Sequence, residues 1–600
     1  MGEFAQGRIN RMAVNAIYSQ SDLEGRLDPE IPISDKIPSF DGQITVKSDD
    51  SDRKDVILNA VPTQVKGTVV EEFTRGNRKF DVELADCRNF YKRGGCLFFA
   101  VEVKGDNKDT KIFYKQLLPM ELKGIIDSKG HQGTFRIELR PLEETTLYAV
   151  CITFLKHMNK QTINLIERNR YKYYEYEKIR FDSPTFNPAK NSIKDIFDHD
   201  FFMYGLKDNI EFPIRTTRLQ QIELGEKSVI NVNGRIFEMM VKEEITPSPE
   251  EKYIIEDSLQ FIFNPETSGI TWSIKKIKSL AVHLKILDLL IEFLNCGKIE
   301  FFGYCYIIPE YKENEDKMKE YIKNFKKAYS LFLDLRKVFK ELRVDENIEF
   351  GNEDLRNIEL RTKQINELIL NQNFSNVKMD DMSDARFLNH NIGEISLLLF
   401  YSPNSKPKLI NAFSEEVLKK TTRLYVDNLK VPKIISPISP YILLTKEQMI
   451  KTKNIDFDMI IKSFEPMDCG EPELFNYVNE LCLACLNVYD DTNNKEFLRL
   501  TLYLLNKCKQ ETNDVVTKQI LSINIFQAKY RMNGELSEKE YTELFNLRDN
   551  VSSLEMKFCI SVLLQHKLEA DILFKGFNAD LKQYYNRLPI YFLYSELKTE

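Results

Sequence analysis

The pattern of hydrophobic and polar positions changes character along the chain. Apolar residues recur at helical spacing from Phe4 to Ile17 and predict a helix over residues 4–18. Short runs rich in β-forming residues follow, and they predict strands over residues 39–47, 59–70, 79–84, 95–105, 111–115 and 133–139. Helices are predicted in LLPMELKGIIDS and over residues 142–160. These elements predict an α/β domain with a mixed sheet in residues 1–160.

The remaining chain first returns to strands and then becomes helical. Strands are predicted from about 200 to 275 and in IEFFGYCYIIPE, ISLLLFYS, KLINAF and PYILLT, with long helices over 277–297 and 312–342. After about residue 470 the pattern is almost wholly helical and resembles a solenoid, although no signature repeats at a fixed period. We therefore predict a β-rich domain over 161–310, a mixed region over 311–468 and a helical interaction domain over 469–600. The fold class as a whole is multidomain α+β.

Composition narrows the class of protein. A chain of 600 residues exceeds one hydrophobic core, and 42% hydrophobic with 29% charged residues is ordinary for a soluble globular protein. The first residues lack the apolar segment of a signal peptide, and no apolar run is long enough to span a membrane. Ten scattered cysteines favour reduced thiols. We therefore expect a cytoplasmic protein with no membrane partner.

The sequence lacks the motifs of several enzyme classes. The sequence has no GxxxxGK[ST] loop, Rossmann glycine fingerprint, HExxH or GxSxG, so an ATPase, dehydrogenase, zinc protease or serine hydrolase is unsupported. Cys482 and Cys485 form a single CxxC without a second pair, which favours core cysteines over zinc ligands. A net charge of −7 argues against coating nucleic acid by charge alone, but it allows a local basic groove.

The most informative segments are PSFDGQITVK and VPTQVKGT. Asp41 begins one extended run, and Gln64 and Lys66 stand two apart on the next. Because side chains alternate along a strand, Gln64 and Lys66 share one face, and one sheet face can carry all three residues. Phosphodiester hydrolysis needs a cation with oxygen ligands and a positive group near the phosphate. Asp41, the Gln64 amide oxygen and the Val65 main-chain carbonyl are predicted to bind Mg²⁺ or Mn²⁺, while Lys66 orients water or neutralises the phosphate.

This arrangement resembles the PD-(D/E)XK nuclease superfamily, in the Mrr-like variant that has QxK in place of (D/E)xK. The run from RINRMAVNAI through DGQITV and VPTQVKGT to KIFYKQLLP also resembles the amino-terminal domain of poorly characterised bacterial phage-defence proteins. The likeness covers roughly residues 5–140. It implies a restriction-endonuclease-like fold and an endonuclease, with double-stranded DNA the expected substrate.

The sequence departs from this family at one position. A glutamate of the first helix often points at the metal in such enzymes, and the corresponding region here has Asn10. Glu3, two helical turns earlier, and Gln43, two residues after Asp41, are further candidate ligands. Asp41 remains the one firm carboxylate of the set, so a nuclease-like domain that no longer cuts stays open as an alternative.

Two other interpretations concern the same domain. Glu102 and Lys104 match the usual ExK form of the motif, with Asp81 or Asp86 as the partner carboxylate. Glu102, however, lies at the end of an apolar strand that enters a polar turn, where charged residues usually meet solvent. The structural alternative for QVKG is a polar edge strand whose lysine discourages aggregation.

These observations lead to an expected function with alternatives. The resemblance implies an effector of bacterial antiviral defence, in which the carboxy-terminal region senses, restrains or recruits. A homo-oligomer would bring two sites to a duplex, and a partner ATPase would supply the nucleotide motif that this chain lacks. The alternatives are an inactive scaffold that binds nucleic acid or protein, and a helical tail that binds a peptide or phage protein as the main activity.

Overall fold

The computed structural model describes residues 6–32, 38–104, 109–129, 131–267, 269–308, 315–375, 383–420, 422–426 and 433–597. The chain divides into two compact units, one of Met1–Leu224 with Glu244–Glu250 and one of Gly225–Glu243 with Glu251–Glu600. The predicted class is confirmed at the coarse level, since a mixed sheet lies in the amino-terminal part and helices fill the carboxy-terminal part. The finer division into four domains stays a prediction.

The first unit is built on a seven-stranded mixed sheet. Its helices are α1 (Gln6–Glu24), α2 (Leu84–Lys92), α3 (Pro119–Lys129), α4 (Leu147–Lys160) and α5 (Ile163–Arg168). Its main strands are β1 (Leu27–Glu30), β2 (Gly42–Lys47), β3 (Ile57–Val70), β4 (Arg78–Glu83), β5 (Cys96–Lys104), β6 (Thr110–Leu117) and β7 (Thr134–Pro141). The sheet order is β1-β2-β3-β5-β6-β7-β4, and β3 and β5 are parallel while the other pairs are antiparallel. All six predicted strands of this region are confirmed.

Helices cover both faces of this sheet. Residues Val65, Phe99 and Val101 belong to the core formed with α1 and α4, because alternation turns them to that face. Phe98 and Ala100 point the other way and pack with α2 and α3. Gln64 and Lys66 are the β3 partners of Phe98 and Ala100, so they share the face covered by α2 and α3. The sheet thus separates the candidate QxK side chains from α1.

The first unit also contains a second, smaller sheet. Strands β8 (Lys178–Asp182), β9 (Phe201–Lys207) and β10 (Ile210–Thr217) form it in the order β10-β9-β8. Lys115 of β6 contacts Asp200, just before β9, at 2.6 Å, and Glu121 of α3 at 3.0 Å. Burial works against the charge of Lys115, but these two carboxylates outweigh it and raise the pKa of the ammonium group. This ionic cluster fixes β9 to the main sheet.

The second unit begins with another seven-stranded sheet. Its strands are β11 (Ile222–Val232), β12 (Arg235–Ile245), β13 (Glu251–Ile255), β14 (Leu259–Asn264), β15 (Gly269–Ile274), β16 (Lys298–Phe301) and β17 (Tyr304–Ile307), in the order β15-β14-β13-β12-β11-β16-β17. The turn between β11 and β12 is Asn233-Gly234, with positive φ at both residues, as a tight two-residue hairpin requires. Helix α6 (Leu280–Cys296) packs on this sheet.

Two strand predictions in the second unit need correction. Strands β16 and β17 of the segment IEFFGYCYIIPE form a hairpin, because Phe302 and Gly303 take positive φ and reverse the chain, and the last two residues of this segment lie outside the described residues. PYILLT was predicted as a strand and is wrong, since it forms turns. Tyr441 and Ile442 are buried without a ladder, whereas Leu443 is 67% exposed, and the Tyr441 hydroxyl donates to Ala412 O at 2.8 Å. Apolar content there reflects burial, which periodicity alone does not distinguish from a strand.

The rest of the second unit is mostly helical. The long predicted helix is confirmed as α7 (Glu315–Leu342), followed by α8 (Leu355–Ile369). Short strands β18 (Arg386–Ile392), β19 (Ile395–Tyr401), β20 (Leu409–Asn411), β21 (Leu424–Val426) and β22 (Lys433–Ile435) alternate with α9 (Glu415–Leu418), α10 (Lys446–Lys451) and α11 (Phe457–Phe464). The carboxy-terminal helices are α12 (Pro472–Thr492), α13 (Lys495–Glu511), α14 (Val515–Asn533), α15 (Glu538–Asn550), α16 (Leu554–Leu563), α17 (Lys567–Lys575), α18 (Ala579–Tyr585) and α19 (Pro589–Glu596). Cys482 and Cys485 are buried in α12, as predicted.

Among the described residues, none of the helices is both long enough and apolar enough to cross a membrane.

Candidate functional site

The candidate site lies where β2 and β3 part. Strand β2 pairs with β3 from Lys47 to Gly42, which is opposite Thr63, and in the described chain the rest of β3 pairs only with β5. Gly42 is required here, because a Cβ at this position would collide with Glu30 O of β1. The parting strands leave main-chain groups of β3 beyond Thr63 without a β2 partner.

Asp41 fills this gap. Its side-chain Oδ2 accepts a hydrogen bond from Val65 N at 2.7 Å, and its own N–H donates to Thr63 O at 3.0 Å. Asp41 is only 4% exposed, so the carboxylate is held in a fixed position. A charge-assisted bond of this length is stronger than a neutral one. The carboxylate is therefore fixed to the middle residue of the QxK motif.

Gln64 and Lys66 form the second half of the site. With the Gln64 amide nitrogen donating to Ser39 O, its oxygen accepts from Lys66 Nζ at 2.8 Å. This orientation satisfies both ends of the amide, which is the usual ground for assigning it. Gln64 is buried, whereas Lys66 is half-buried beside the small side chain of Ala100. The Lys66 ammonium group therefore contacts Gln64 in the site, while the side chain stays partly exposed to solvent.

The predicted trio is thus joined through the main chain of β3. Asp41 binds Val65 N, and Gln64 binds Lys66 on either side of that residue. In extended backbone the N–H and C=O of one residue leave the strand on the same side, so the Val65 carbonyl also leaves toward Asp41. The Asp41 carboxylate is thus held at Val65 N, and Lys66 Nζ is held at the Gln64 amide oxygen on the same strand.

The weaker candidate ligands have other roles or cannot be placed. Asn10 Oδ1 accepts from Gln6 Nε2 at 3.1 Å on the exposed side of α1, and that helix covers the opposite face of the sheet. Gln43 shares the sheet face of Gln64, but its Nε2 donates to Glu30 Oε2 at 3.0 Å. Glu3 lies outside the described residues. Neither Asn10 nor Gln43 is directed at Asp41 by these contacts.

A further carboxylate, Asp86, comes from α2, a helix that the local sequence pattern did not predict, and it acts on the same thiol as Asp41. Burial raises the pKa of the Cys96 thiol well above its ordinary value, and the negative charges of Asp41 and Asp86 raise it further. Both carboxylates therefore lie within electrostatic range of one sulfur. One turn after Asp86, Asn89 Nδ2 donates to Ser39 Oγ at 2.7 Å, which fixes α2 to the loop before Asp41. The amphipathic pattern of LADCRNFYK was the available signal for this helix.

The ExK alternative forms a structural ion pair. Glu102 is 1% exposed, against the expectation that it meets solvent. Arg78 Nη1 lies 2.6 Å from its carboxylate, and Thr74 donates to it from N at 2.9 Å and from Oγ1 at 2.6 Å. Lys104 Nζ lies 5.1 Å from the centre of the Phe73 ring. Asp81 is paired with Arg136 at 2.7 Å. Every member of this alternative except Asp86 is engaged elsewhere.

The donor set around Asp41 suits a weakly held hard cation. Within the described ranges, no three His, Cys, Asp or Glu side chains gather closely enough to hold a metal ion. A cation at this site would depend on Asp41 with the Gln64 and Val65 oxygens. Mg²⁺ fits such a set, because it keeps several waters and often binds only one or two carboxylates.

Comparisons of the chain with protein-family models, with curated proteins and with solved structures give no match. We therefore assign function from the residues of the chain itself.

Proposed function

We propose that the amino-terminal domain is a metal-dependent endonuclease of the PD-(D/E)XK kind, which cuts double-stranded DNA as the effector of a bacterial antiviral defence system. The observation that carries the proposal is the bond between Asp41 Oδ2 and Val65 N at 2.7 Å, in the middle of the QxK motif. It joins a buried carboxylate to the strand that carries Gln64 and Lys66.

The order of elements supports a restriction-endonuclease-like fold. Helix α1, strand β2 directly after Asp41, the QxK strand β3 and helix α2 follow in this order, with β1 between α1 and β2 and β4 between β3 and α2. β5 then returns parallel to β3, as a crossover through a helix allows. The site lies at the parting of β2 from β3, where Asp41 takes the place of a β2 partner for Val65 N.

Each side chain has a distinct role in this mechanism. Mg²⁺ or Mn²⁺, when bound, would polarise the phosphate and lower the pKa of a water. Asp41 supplies the fixed negative charge for the cation, and the Gln64 and Val65 oxygens add neutral donors. Lys66 holds the Gln64 amide through its Nζ and reaches solvent, so it can orient a water or neutralise charge that develops on the phosphate.

The remaining chain has a regulatory role in this proposal. An unrestrained DNase would damage its own host, so the long non-catalytic region would hold the nuclease inactive until a trigger arrives. A homo-oligomer would present two sites to the two strands of a duplex. A partner ATPase would supply nucleotide-driven activation, since the sequence has no P-loop.

A second candidate function is a nuclease-like scaffold that binds nucleic acid or a partner protein without cutting. Asp41 is the carboxylate bonded to the QxK motif, and no three His, Cys, Asp or Glu side chains of the described residues are grouped closely enough to hold a metal ion. This favours the scaffold, because cation affinity rises with the number of carboxylate ligands. Asp86 is a further carboxylate that, like Asp41, raises the pKa of the Cys96 thiol. The two candidate functions make different predictions for plasmid cleavage.

The test is cleavage of plasmid DNA by the full-length protein with Mg²⁺ or Mn²⁺. Asp41→Asn keeps an acceptor for Val65 N but removes the charge, and Lys66→Met keeps the length of the side chain but removes the ammonium. We expect each substitution to slow cleavage by at least about 100-fold. Chelation of the cation should abolish cleavage by the wild type.

Matched controls lie on strand β4 of the same domain. Asp81→Asn and Lys79→Met change the same charges at exposed positions and should leave the cleavage rate near that of the wild type. Equal rates for the wild type, Asp41→Asn and Lys66→Met would reject this site. DNA binding by the wild type without metal-dependent cutting would favour the scaffold.

A further inference from the structure

A cavity of about 360 Å³ lies among the carboxy-terminal helices. Side chains of α12, α14, α16 and α18 line it, together with the first residues of α19. Its volume falls within the range of about 300–1,000 Å³ that small-molecule pockets occupy. About half of the lining is apolar, and Ile520, Ile523 and Met556 contribute to it.

One wall of the cavity is a ladder of carboxamides. Asn524 Nδ2 donates to Asn479 Oδ1 at 2.8 Å, and Gln527 Nε2 donates to Asn524 Oδ1 at 2.8 Å. The ladder ends at Gln527, which is 2% exposed and whose Oε1 has no hydrogen-bond partner among the described residues. Buried carbonyl oxygens are nearly always paired, so this acceptor calls for a donor from outside the protein fold.

The ladder occupies a fixed position on α14. One turn beyond Gln527, Arg531 forms a buried ion pair with Asp490 through bonds of 2.7 and 2.8 Å. Arg531 also donates to Gln527 O at 3.3 Å and to Pro589 O at 2.7 Å, which fixes α14 to the start of α19. The guanidinium therefore holds the helices through four hydrogen bonds, and it does not line the cavity.

The charge of the lining selects against anions. Glu555 is the one carboxylate at the cavity, and no lysine or arginine lines it in the described part of the chain. Burial raises the pKa of the Cys559 thiol to about 12, so this group is uncharged near pH 7. Phosphates and carboxylates would meet a negative charge and no positive one. A neutral ligand suits these groups.

The rings at the cavity suit a flat ligand. Tyr584 is 57% exposed, and it lies beside Tyr585 with ring centres 5.7 Å apart. Exposed aromatic faces at a pocket bind planar rings by stacking. A carboxamide is at the same time an acceptor and a donor, and Asn and Gln read the adjacent donor and acceptor of a base edge in this way.

We propose that this cavity is a binding site for a neutral nucleobase, presented as an unphosphorylated nucleoside. An N–H of the base donates to Gln527 Oε1, and the ring stacks on Tyr584. The site belongs to the carboxy-terminal helices and is independent of the Asp41 site. The site senses a nucleoside, and it lies in the carboxy-terminal region to which the proposed function gives a regulatory role.

The test is isothermal titration of the full-length protein with adenosine, guanosine, cytidine and uridine in turn. We expect saturable binding of at least one nucleoside, and at least fivefold weaker binding of the corresponding 5′-monophosphate because of Glu555. Gln527→Met removes the acceptor at similar length and should weaken the binding at least tenfold. Tyr584→Ala, at an exposed position that the fold tolerates, should also weaken it.

The matched control is Gln519→Met on the same helix. Gln519 donates to Asn550 O at 3.1 Å and does not line the cavity, so this variant should bind like the wild type. Circular dichroism establishes that each variant is folded before titration. Absence of binding by all four nucleosides, equal affinity of the Gln527→Met and Gln519→Met variants, or tighter binding of the monophosphate would each overturn the proposal.

Discussion

Close packing beside the candidate site requires a glycine at position 67 of strand β3. Gly67, just after Lys66, lies against α1, and a Cβ there would come 2.9 Å from Ile9 Cγ2 and 3.0 Å from Ile9 O. The absence of a side chain lets the helix approach β3. That approach supports the strand from the face opposite Gln64 and Lys66.

We expect Gly67→Ala to lower the free energy of unfolding of the first unit by about 1–3 kcal/mol, because the added methyl forces α1 away from β3. Hydrogen–deuterium exchange of β3 amides measures the change. Gly124→Ala is the control, since nothing lies within 4 Å of a Cβ on this exposed helical glycine. It should stabilise by about 0.5–1 kcal/mol. Equal effects of the two substitutions would contradict the packing argument.

At the scale of elements, an ion pair connects the edge strand β4 with the central strand β5. It is an edge strand next to β7, yet Arg78 at its start reaches Glu102 of β5. The Arg78 and Glu102 side chains are 12% and 1% exposed, so neither charge is well hydrated. Each therefore depends on the other for stabilisation.

Glu102→Ala should cost about 3–5 kcal/mol of folding free energy, because it leaves the Arg78 guanidinium buried without a partner. The double variant Glu102→Leu with Arg78→Met should recover much of this loss. Chemical unfolding followed by exchange of β5 amides gives both values. Asp81→Ala breaks the exposed pair with Arg136 and serves as the control with little effect. A double variant as unstable as Glu102→Ala would refute the ion-pair explanation.

At the scale of the whole molecule, a buried histidine makes the second unit sensitive to acid. In the second unit, His283 of α6 is 2% exposed, and neither ring nitrogen has a hydrogen-bond partner among the described residues. Burial lowers the pKa of His283 to about 3. The folded state therefore keeps the ring neutral at pH values where the unfolded chain binds a proton.

The stability of the second unit should consequently fall as the pH drops below about 6.5, by up to about 1.4 kcal/mol per pH unit from this group. The contribution of the neutral His283 ring to the free energy of unfolding is fully present at neutral pH and is lost as the pH falls to about 3. His283→Leu should flatten this slope and also remove two unsatisfied nitrogens. Fluorescence of Trp272, the single tryptophan of the chain, follows unfolding of this unit. His566→Leu, at a half-exposed position, should leave the slope in place.

Local sequence was sufficient for those elements in which hydrophobic period and turn residues agree. The six strands of the first domain, α7 and the helices from α12 to α16 follow this rule. Local pattern was insufficient at α2, which is short and follows a strand without a turn signal, and at PYILLT, where burial mimics a strand. Alternation along β3 was sufficient to place Gln64 and Lys66 on one face.

The sequence by itself determined the order of helix, Asp-strand and QxK-strand and the face shared by Gln64 and Lys66, because both follow from backbone periodicity. Only the tertiary structure decided that Asp41 binds Val65 N, that Asp86 lies near Cys96, that Glu102 pairs with Arg78 and that four helices enclose a carboxamide-lined cavity. These contacts join residues far apart in the chain. They depend on strand order and helix packing, which no local pattern of apolar and polar residues specifies.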